Sequence, residues 1–384
     1  MRGNITRRGD RSWRLKFEAG ERDATTGKRL TRFITVRGTR KDAEKELTRI
    51  LHEIETGAFV EPTKLTLSKY LDHWLDDHAK NRVSAKTFQR YEEIAKKHLV
   101  PALGPTRLAK LTPLAIQEYY GKALAGGRRK GTGGLSAQTV MHHHRILSEA
   151  LHQAVRWRLL HFNPCELVDP PRPIRREMKV IDQEQTAKLL KAAAPLRIYV
   201  PVLLAATTGM RRGETLALRW KDVDLDAAML AVTQTLEKVG KKLTFKSPKT
   251  ERSRRTISLP QITVEALRRH RVKQAEERLA AGKAYVAQDL VCCNALGQPL
   301  DPDYVTHAFA KFAADSKLAI RFHDLRHSHI SHLLAAGIHP KIASERAGHA
   351  SVSITLDVYS HLIPGMQEDA AKRIDAALRT HLER

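Results

Sequence analysis

The chain has 384 residues, of which 42% are hydrophobic, and it carries a formal net charge of +25 at pH 7. This length predicts two or three domains, and the hydrophobic content excludes a wholly disordered chain. Because the basic residues occur in every segment, so large a charge predicts an extended basic surface for a polyanionic partner, of which nucleic acid is the usual example.

The three cysteines, Cys165, Cys292 and Cys293, have neither the pattern of a disulfide framework nor the spacing of a metal site. Two of them lie in the apolar run 290–293, which predicts a buried strand. No apolar run approaches the ~18 residues of a membrane span, and residues 1–13 lack the apolar core of a signal peptide. We therefore expect a protein of the reducing cytoplasm without membrane contact. The predicted nucleic-acid partner would associate it with the nucleoid.

Residues 1–60 predict a small sheet covered by one helix. In residues 12–18 the apolar side chains alternate with Arg14 and Lys16, and a second strand over 30–36 contains Arg32. Thr39 is placed to cap the helix that follows. Such a module either braces the rest of the chain or reads DNA with its sheet in the major groove; Arg14, Lys16 and Arg32 are the candidate contacts.

Residues 61–162 predict a helical domain that follows a linker at 57–64. Its helices begin near Thr66, Ser84, Thr112 and Ser136, with Pro101 and the pair Gly104-Pro105 predicted to break the chain. Between the last two helices lies a flexible loop over 125–134, rich in glycine and basic residues. That loop could follow a phosphate backbone through Arg128, Arg129 and Lys130.

The run His142-His143-His144 suggests a metal site at first sight. Consecutive positions on a helix point in different directions, so these three rings cannot converge on one ion. We expect no metal there, and no cofactor elsewhere in the chain.

Residues 163–178 are rich in proline and predict a stiff interdomain linker. From 179 onward, we expect a helix capped by Asp182, a buried helix ending at Gly209, and a further helix after Arg211 and Arg212. Three short antiparallel strands follow at 229–236, 243–246 and 254–259, with Lys249 in the turn between the last two. On its own, the arginine pair would be an ordinary helix start, and a lysine in a polar hairpin is equally ordinary.

The segment 321–361 concentrates groups suited to phosphate chemistry. His323 and Arg326 lie three residues apart on a predicted helix that stops at Gly337. A second helix over 340–347 ends before His349, and a third over 353–361 carries Tyr359. Alone, each residue has a structural explanation. Together they supply a forked cation, a histidine that titrates near neutrality, and a hydroxyl that can attack as a nucleophile.

The spacing of His323, Arg326, His349 and Tyr359 resembles the C-terminal signature of the tyrosine recombinase (phage integrase) family. Two further motifs of that family occur in the right order, at 208–214 around Arg211 and at 247–250 around Lys249. The resemblance covers the whole chain. It implies a mainly α fold with small β-sheets (α+β): an N-terminal DNA-binding module over 1–60, a helical, SAM-like core-binding domain over 61–162, a linker over 163–178, and a mixed α/β catalytic domain over 179–384.

The resemblance also implies an enzyme that cuts and rejoins DNA through a 3′-phosphotyrosyl intermediate and a Holliday junction. It implies catalytic roles for Arg211, Lys249, His323, Arg326, His349 and Tyr359, and leaves Arg212 as a DNA-backbone or surface contact. The partners would be double-stranded attachment sites of core and arm type, and further copies of the chain. A final helix at about 368–378 would dock on a neighbouring protomer, giving a tetramer in the synapse. An excisionase or a host DNA-bending factor would be a further partner.

Two other functions are compatible with a basic chain of this design. One is a DNA-binding regulator without catalysis, against which the complete set of catalytic residue types argues. The other is a type IB topoisomerase, which uses similar chemistry; the N-terminal module and the terminal helix favour recombination between several protomers. Trapping of a covalent adduct on a nicked substrate, and plasmid relaxation without paired sites, separate the three.

Overall fold

The computed structural model describes residues 3–22, 29–56, 64–129, 131–174, 178–248, 254–359 and the short stretches 371–372, 374–376 and 378–379. The chain divides into an N-terminal unit, Met1–Arg175, and a C-terminal unit, Arg176–Arg384. Helices predominate and the sheets are small and antiparallel, which confirms the predicted fold class.

The first part of the N-terminal unit is the predicted sheet with one covering helix. Strands β1 (Asn4–Gly9), β2 (Ser12–Arg22) and β3 (Arg29–Arg37) form an antiparallel sheet in the order β1-β2-β3, and helix α1 spans Arg40–Glu55. Thr39 caps the helix, in a reciprocal capping box with Asp42. The sheet alternation buries Leu15 and Phe17 against Leu47 and Ile50 of the helix.

The register of this sheet separates the predicted DNA contacts. Arg14 is paired with Thr35 and Lys16 with Phe33, whereas Arg32 is paired with Phe17, a core residue. Paired residues share a sheet face, so Arg32 lies on the helix-covered face and Arg14 and Lys16 on the open one. The structure thus separates Arg32 from the other two candidate contacts of this sheet.

The second part of the N-terminal unit is helical. The first predicted helix runs as α2 (Leu67–His73), a π-helical turn (Trp74–Ala79) and α3 (Lys80–Arg82). The second runs as α4 (Ala85–Ile94), a π-helical turn (Ala95–Leu99) and α5 (Val100–Leu103). The helix thus continues through Pro101 and ends only at Gly104, contrary to prediction. Pro101 lies directly after the π-helical turn Ala95–Leu99, where the hydrogen-bond pattern of the helix has already changed. Helices α6 (Pro113–Gly126) and α7 (Ala137–Arg156) begin at the caps Thr112 and Ser136, as predicted.

The core of this helical part is closed by residues of the predicted linker. A 3₁₀ helix spans Pro164–Leu167, and Cys165 is buried in the same cluster as Leu147 and Leu151 of α7. Asn163, also buried, donates its side-chain N–H to the carbonyl of Ser148. The start of the 163–178 segment therefore packs as part of the helical core rather than as a spacer.

The C-terminal unit contains one large apolar core and a smaller apolar cluster. Its helices are α8 (Gln183–Ala193), α9 (Tyr199–Thr208), α10 (Arg212–Ala217), α11 (Gln261–Ala281), α12 (Pro302–Asp315), α13 (Phe322–Ala335), α14 (Pro340–Ala347) and α15 (Val352–Tyr359). Its strands are β4 (Val223–Asp224), β5 (Met229–Val232), β6 (Thr235–Val239), β7 (Lys242–Lys246) and β8 (Arg255–Ser258). Strands β4, β5 and β8 form one sheet, and β6 and β7 form a separate hairpin. The smaller apolar cluster lies between α13 and α14.

Two predicted strands differ from the structure. The segment 229–236 is broken into β5 and β6, because Thr233 hydrogen-bonds Asp222 and Arg219 while Gln234 donates to the carbonyl of Ala217. The run 290–293 is buried as predicted, but it forms only isolated bridges at Leu290 and Cys293 instead of a strand.

Parts of several predictions lie outside the described residues: the turn at 23–27, most of the linker at 57–64, Lys130, Lys249, and the end of the helix predicted to reach 361. Of the predicted final helix, the described positions are helical and exposed, including Ile374 and Leu378. No helix among the described residues is both long and apolar enough to cross a membrane.

Candidate active site

The site begins at the turn after α9. Gly209 ends this helix with a left-handed backbone, φ 69°, and a Cβ at this position would lie 2.8 Å from Cδ2 of His329 on α13. Glycine is therefore needed both for the turn and for the close approach of the two helices. Arg326, buried on α13, donates from Nη1 to the Gly209 carbonyl at 2.6 Å.

Arg211 lies two residues after this turn, at the N-cap of α10. Its Nη1 donates to Glu214 Oε1 at 2.8 Å, and its Nη2 donates to the carbonyl of Gly348 at 2.7 Å. The side chain keeps 39% of its surface exposed. Arg211 is thus fixed by α10 and by the turn after α14, with part of its side chain exposed.

The buried carboxylate of Glu214 accepts hydrogen bonds from two arginines, Arg211 and Arg255. Glu214 is 4% exposed, and its Oε2 accepts from Nη2 of Arg255 at 2.8 Å. Burial alone would raise the pKa of Glu214, but the hydrogen bond and charge of Arg255, followed by those of Arg211, outweigh it and hold the pKa below its ordinary value. Arg255 also donates from Nε to the carbonyl of Arg346 at 2.8 Å.

His349 follows the second glycine turn. Gly348 ends α14 with φ 68°, and the backbone N–H of His349 donates to the carbonyl of Ser344 at 3.0 Å. The Nδ1 of its ring lies 2.8 Å from the hydroxyl of Thr355 on α15. Burial, with the charges of Arg326 and Arg211 next in effect, lowers the pKa of His349 to about 4, so the ring is neutral at pH 7.

His323 lies one turn before Arg326 on α13. Its ring is exposed on one side and packs edge-on against His327, with centroids 4.8 Å apart. Burial by the surrounding protein, followed by the charges of His327 and Arg326, lowers the pKa of His323 to about 4. At pH 7 the ring is neutral, as a proton acceptor must be.

The structure therefore brings together four of the six predicted catalytic residues. Arg211, Arg326 and His349 are linked through the two glycine turns, and His323 joins them through α13. Tyr359 is the last residue of α15, ten positions after His349, and its side chain is outside the description, as is Lys249 entirely.

The other predicted DNA contacts divide into side chains of the N-terminal unit and Arg212, which bonds within the C-terminal unit. On the open face of the N-terminal sheet, the Arg14 guanidinium lies 3.9 Å from the centroid of the Phe33 ring. Arg128 is exposed and donates to the carbonyl of Gly134, which folds its own loop, and Arg129 is exposed. Arg212 instead donates to Pro302 O and Thr306 Oγ1. Since these bonds join α10 to α12, Arg212 has an internal structural role that the sequence prediction missed.

Sequence reasoning also missed a buried layer behind the site. Arg346 donates from Nε to Nε2 of His329 and from Nη2 to the carbonyl of Thr207. The other nitrogen of His329 faces the carbonyl of Ala206 at 3.1 Å, and burial, aided by the charge of Arg346, lowers the pKa of His329 to about 3. The three-residue spacing of Arg211 and Glu214 was a visible signal; Arg255, His329 and Arg346 carried none, because their partners are distant in sequence.

The three consecutive histidines of α7 have separate partners. Gln138 contacts His142, Tyr119 hydroxyl contacts His143 and Tyr120 hydroxyl contacts His144. Within the described residues, no group of three or more His, Cys, Asp or Glu side chains is arranged to hold a metal ion.

Comparison with known proteins identifies the class. Residues 179–365 match the model of the phage integrase family, and residues 66–124 match the model of the phage integrase N-terminal SAM-like domain. A tyrosine recombinase XerC-like protein of Caldanaerobacter subterraneus subsp. tengcongensis is 28% identical over 357 residues, covering 88% of this chain and 90% of the relative. The ICEBs1 integrase of Bacillus subtilis is 27% identical over 361 residues, covering 93% and 95%.

Solved structures show the same fold at low identity. The Tn1549 transposon integrase in complex with a circular intermediate DNA has a TM-score of 0.67 at 18% identity, covering 81% of this chain and 99% of that one. A lambda integrase from a tetramer bound to a Holliday junction has a TM-score of 0.55 at 19% identity, covering 91% and 96%.

The helical N-terminal domain, the mixed C-terminal unit and the arginine–histidine cluster together define a tyrosine-type recombinase. The chain belongs to the phage integrase family and is a site-specific recombinase of a phage or other mobile element. This confirms the family and the enzyme class predicted from the sequence.

Proposed function

We propose that this recombinase cuts and rejoins double-stranded DNA at the attachment sites of its element through a 3′-phosphotyrosyl intermediate. The proposal rests on two hydrogen bonds, in each of which the arginine of one motif donates to the glycine turn of the other motif. Arg326 donates to Gly209 O and Arg211 to Gly348 O, which places two fixed cations and the neutral His349 beside one another. A single phosphodiester is the natural ligand for that combination.

Each group has a chemical task in the proposed reaction. The Tyr359 oxygen attacks the scissile phosphorus, a bond between them forms, and the bond from phosphorus to the 5′ oxygen breaks. Lys249 gives that leaving oxygen a proton, and His323 hydrogen-bonds the attacking hydroxyl or accepts its proton. Arg211 and Arg326 neutralise the nonbridging oxygens in the transition state, and His349 donates a hydrogen bond to them.

No nucleotide cofactor is needed in this scheme. The phosphotyrosyl bond preserves the energy of the broken phosphodiester, so a 5′ hydroxyl from the partner duplex can attack it and release Tyr359. Exchange of one strand at each of two duplexes gives a Holliday junction, and exchange of the second pair resolves it.

Binding and assembly follow from the same proposal. The open face of the N-terminal sheet, with Arg14 and Lys16, would bind arm-type sites, and the helical domain with Arg128 and Arg129 would bind the core site. The solved relatives include an integrase with circular intermediate DNA and a tetramer on a Holliday junction. We infer a tetrameric synapse on nucleoid DNA, joined through the helix that contains Ile374 and Leu378, with an excisionase or a DNA-bending protein setting direction.

A nicked duplex carrying the junction sequence of the element tests the chemistry, since loss of a short 5′-hydroxyl fragment traps the covalent adduct. We expect an adduct with the unaltered chain and none with Tyr359→Phe, which should bind the duplex with the same affinity. An adduct that survives Tyr359→Phe would refute the assignment. Specific binding without any adduct would favour a regulator, and plasmid relaxation without paired sites would favour a topoisomerase.

A further inference from the structure

Helix α15 has exposed side chains on either side of one buried hydroxyl, that of Thr355. The Thr355 residue is fully buried, whereas its neighbours Ile354 and Leu356 keep 42% and 43% of their surface exposed. A buried hydroxyl must find a hydrogen-bond partner, and this one lies 2.8 Å from Nδ1 of His349. The contact joins the helix that ends in Tyr359 to the histidine of the cluster.

The direction of this hydrogen bond decides what His349 can offer a phosphate. A neutral imidazole has one N–H and one bare nitrogen, and a threonine hydroxyl can donate or accept. If Thr355 accepts, the proton is on Nδ1 and Nε2 presents a lone pair to the phosphate oxygens, which is repulsive. If Thr355 donates, the proton is on Nε2 and can be given as a hydrogen bond to the nonbridging oxygen.

We propose that Thr355 is a positioning residue whose hydroxyl donates to Nδ1 of His349 and thereby keeps the proton on Nε2 for the scissile phosphate. This inference rests on the proposed function. It gives the contact a second consequence, because Thr355 precedes Tyr359 by one helical turn on α15. Seating of the helix that carries the nucleophile therefore also completes the donor set for the phosphate, and displacement of that helix removes both.

The test compares Thr355→Val, which keeps the shape and removes the hydroxyl, with Thr355→Ser, which keeps the hydroxyl. The readouts are the single-turnover cleavage rate constant on the nicked duplex and the affinity for the same duplex. We expect Thr355→Val to slow cleavage about 10- to 100-fold, the range found when the orienting partner of a metal-bound histidine is removed, with unchanged affinity. Thr355→Ser should stay within about 3-fold of the unaltered chain.

Two further variants separate positioning from general damage. Thr263 is also buried, and its hydroxyl bonds Thr207 at 3.0 Å, so Thr263→Val removes a comparable bond and should cleave normally. In a His349→Ala chain, Thr355→Val should cause no further loss, because its target is gone. Cleavage by Thr355→Val at the normal rate, an equal loss in Thr355→Ser or in Thr263→Val, or an additive loss in the double variant would overturn the inference. Failure of the unaltered chain to form an adduct would contradict the proposed function instead.

Discussion

The ion pair between Arg255 and Glu214 should stabilise the C-terminal unit far more than an exposed pair of similar geometry. Arg255 and Glu214 are 2.8 Å apart, with side chains 7% and 4% exposed. Arg268 and Asp226 are 2.6 Å apart in the same unit, but they are 55% and 91% exposed. The two pairs differ mainly in burial, so the matched changes Arg255→Met and Arg268→Met isolate its effect.

Removing one member of a buried pair typically costs about 3–5 kcal/mol, because the other charge remains buried without compensation. Arg211 still neutralises part of the Glu214 charge, so we expect the lower end, about 3 kcal/mol, for Arg255→Met. The exposed pair is screened by water, and Arg268→Met should cost about 0–1 kcal/mol. Arg255→Lys should be intermediate, since a single ammonium is a poor substitute for the fork that reaches both Glu214 and Arg346 O.

Hydrogen exchange of the full chain at increasing urea, followed by mass spectrometry, measures the opening free energy of peptides from α10 and β8. This readout reports on peptides of the C-terminal unit and leaves out those of the N-terminal unit. A cost for Arg255→Met no larger than that for Arg268→Met would show that burial of the pair contributes nothing special, and the reasoning would fail.

Three more outcomes are expected. Arg211→Lys should lower the cleavage rate constant on the nicked duplex about 100-fold or more, since a point charge loses the fork; near-normal cleavage would contradict the role. Gly348→Ala should cost more stability and activity than Gly337→Ala. Both glycines have left-handed backbones, with φ of 68° and 76°, but only a Cβ at Gly348 would meet another side chain, Arg255, at 2.8 Å. Equal losses in the two variants would show that this contact is not the cause. Burial first, then the charge of a neighbouring histidine, lowers the pKa of His143 from 6.5 to about 4, so the unfolded chain binds a proton that the folded chain does not between these values. The contribution of His143 to stability is therefore constant above pH 6.5 and falls by about 3 kcal/mol toward pH 4. Hydrogen exchange of α7 should show a larger fall in the free energy of opening over this range in the unaltered chain than in His143→Phe.

Helix ends could be predicted from the sequence because their determinants are local. Thr39 and Asp182 cap the helices expected of them, and each takes part in a reciprocal capping box. Gly209 and Gly348 end α9 and α14 with left-handed backbones, as the stop signals indicated. The motif residues were located by the same kind of short spacing.

The supporting layer could not be predicted, because its contacts join distant segments. Arg255 follows Glu214 by 41 residues, and Arg346 reaches Thr207 across 139. Nothing local distinguishes these arginines from the many others in so basic a chain. Arg32 is a different case, because the period-two pattern of its strand places it on the same side as Ile34 and Val36.

The two glycine turns explain why a site built from remote motifs can be held in place before its substrate binds. Each turn exposes a carbonyl, and each carbonyl accepts from the arginine of the other motif, Gly209 from Arg326 and Gly348 from Arg211. Neither arginine can move without releasing the turn that positions its counterpart. A guanidinium has five N–H donors, and Arg211 uses Nη1 and Nη2 for Glu214 and Gly348 while 39% of its side chain stays exposed. The cross-bracing therefore fixes the position of the charge without consuming all the donors that a phosphate would need, which is the condition for electrostatic catalysis that requires no reorganisation in the reaction step.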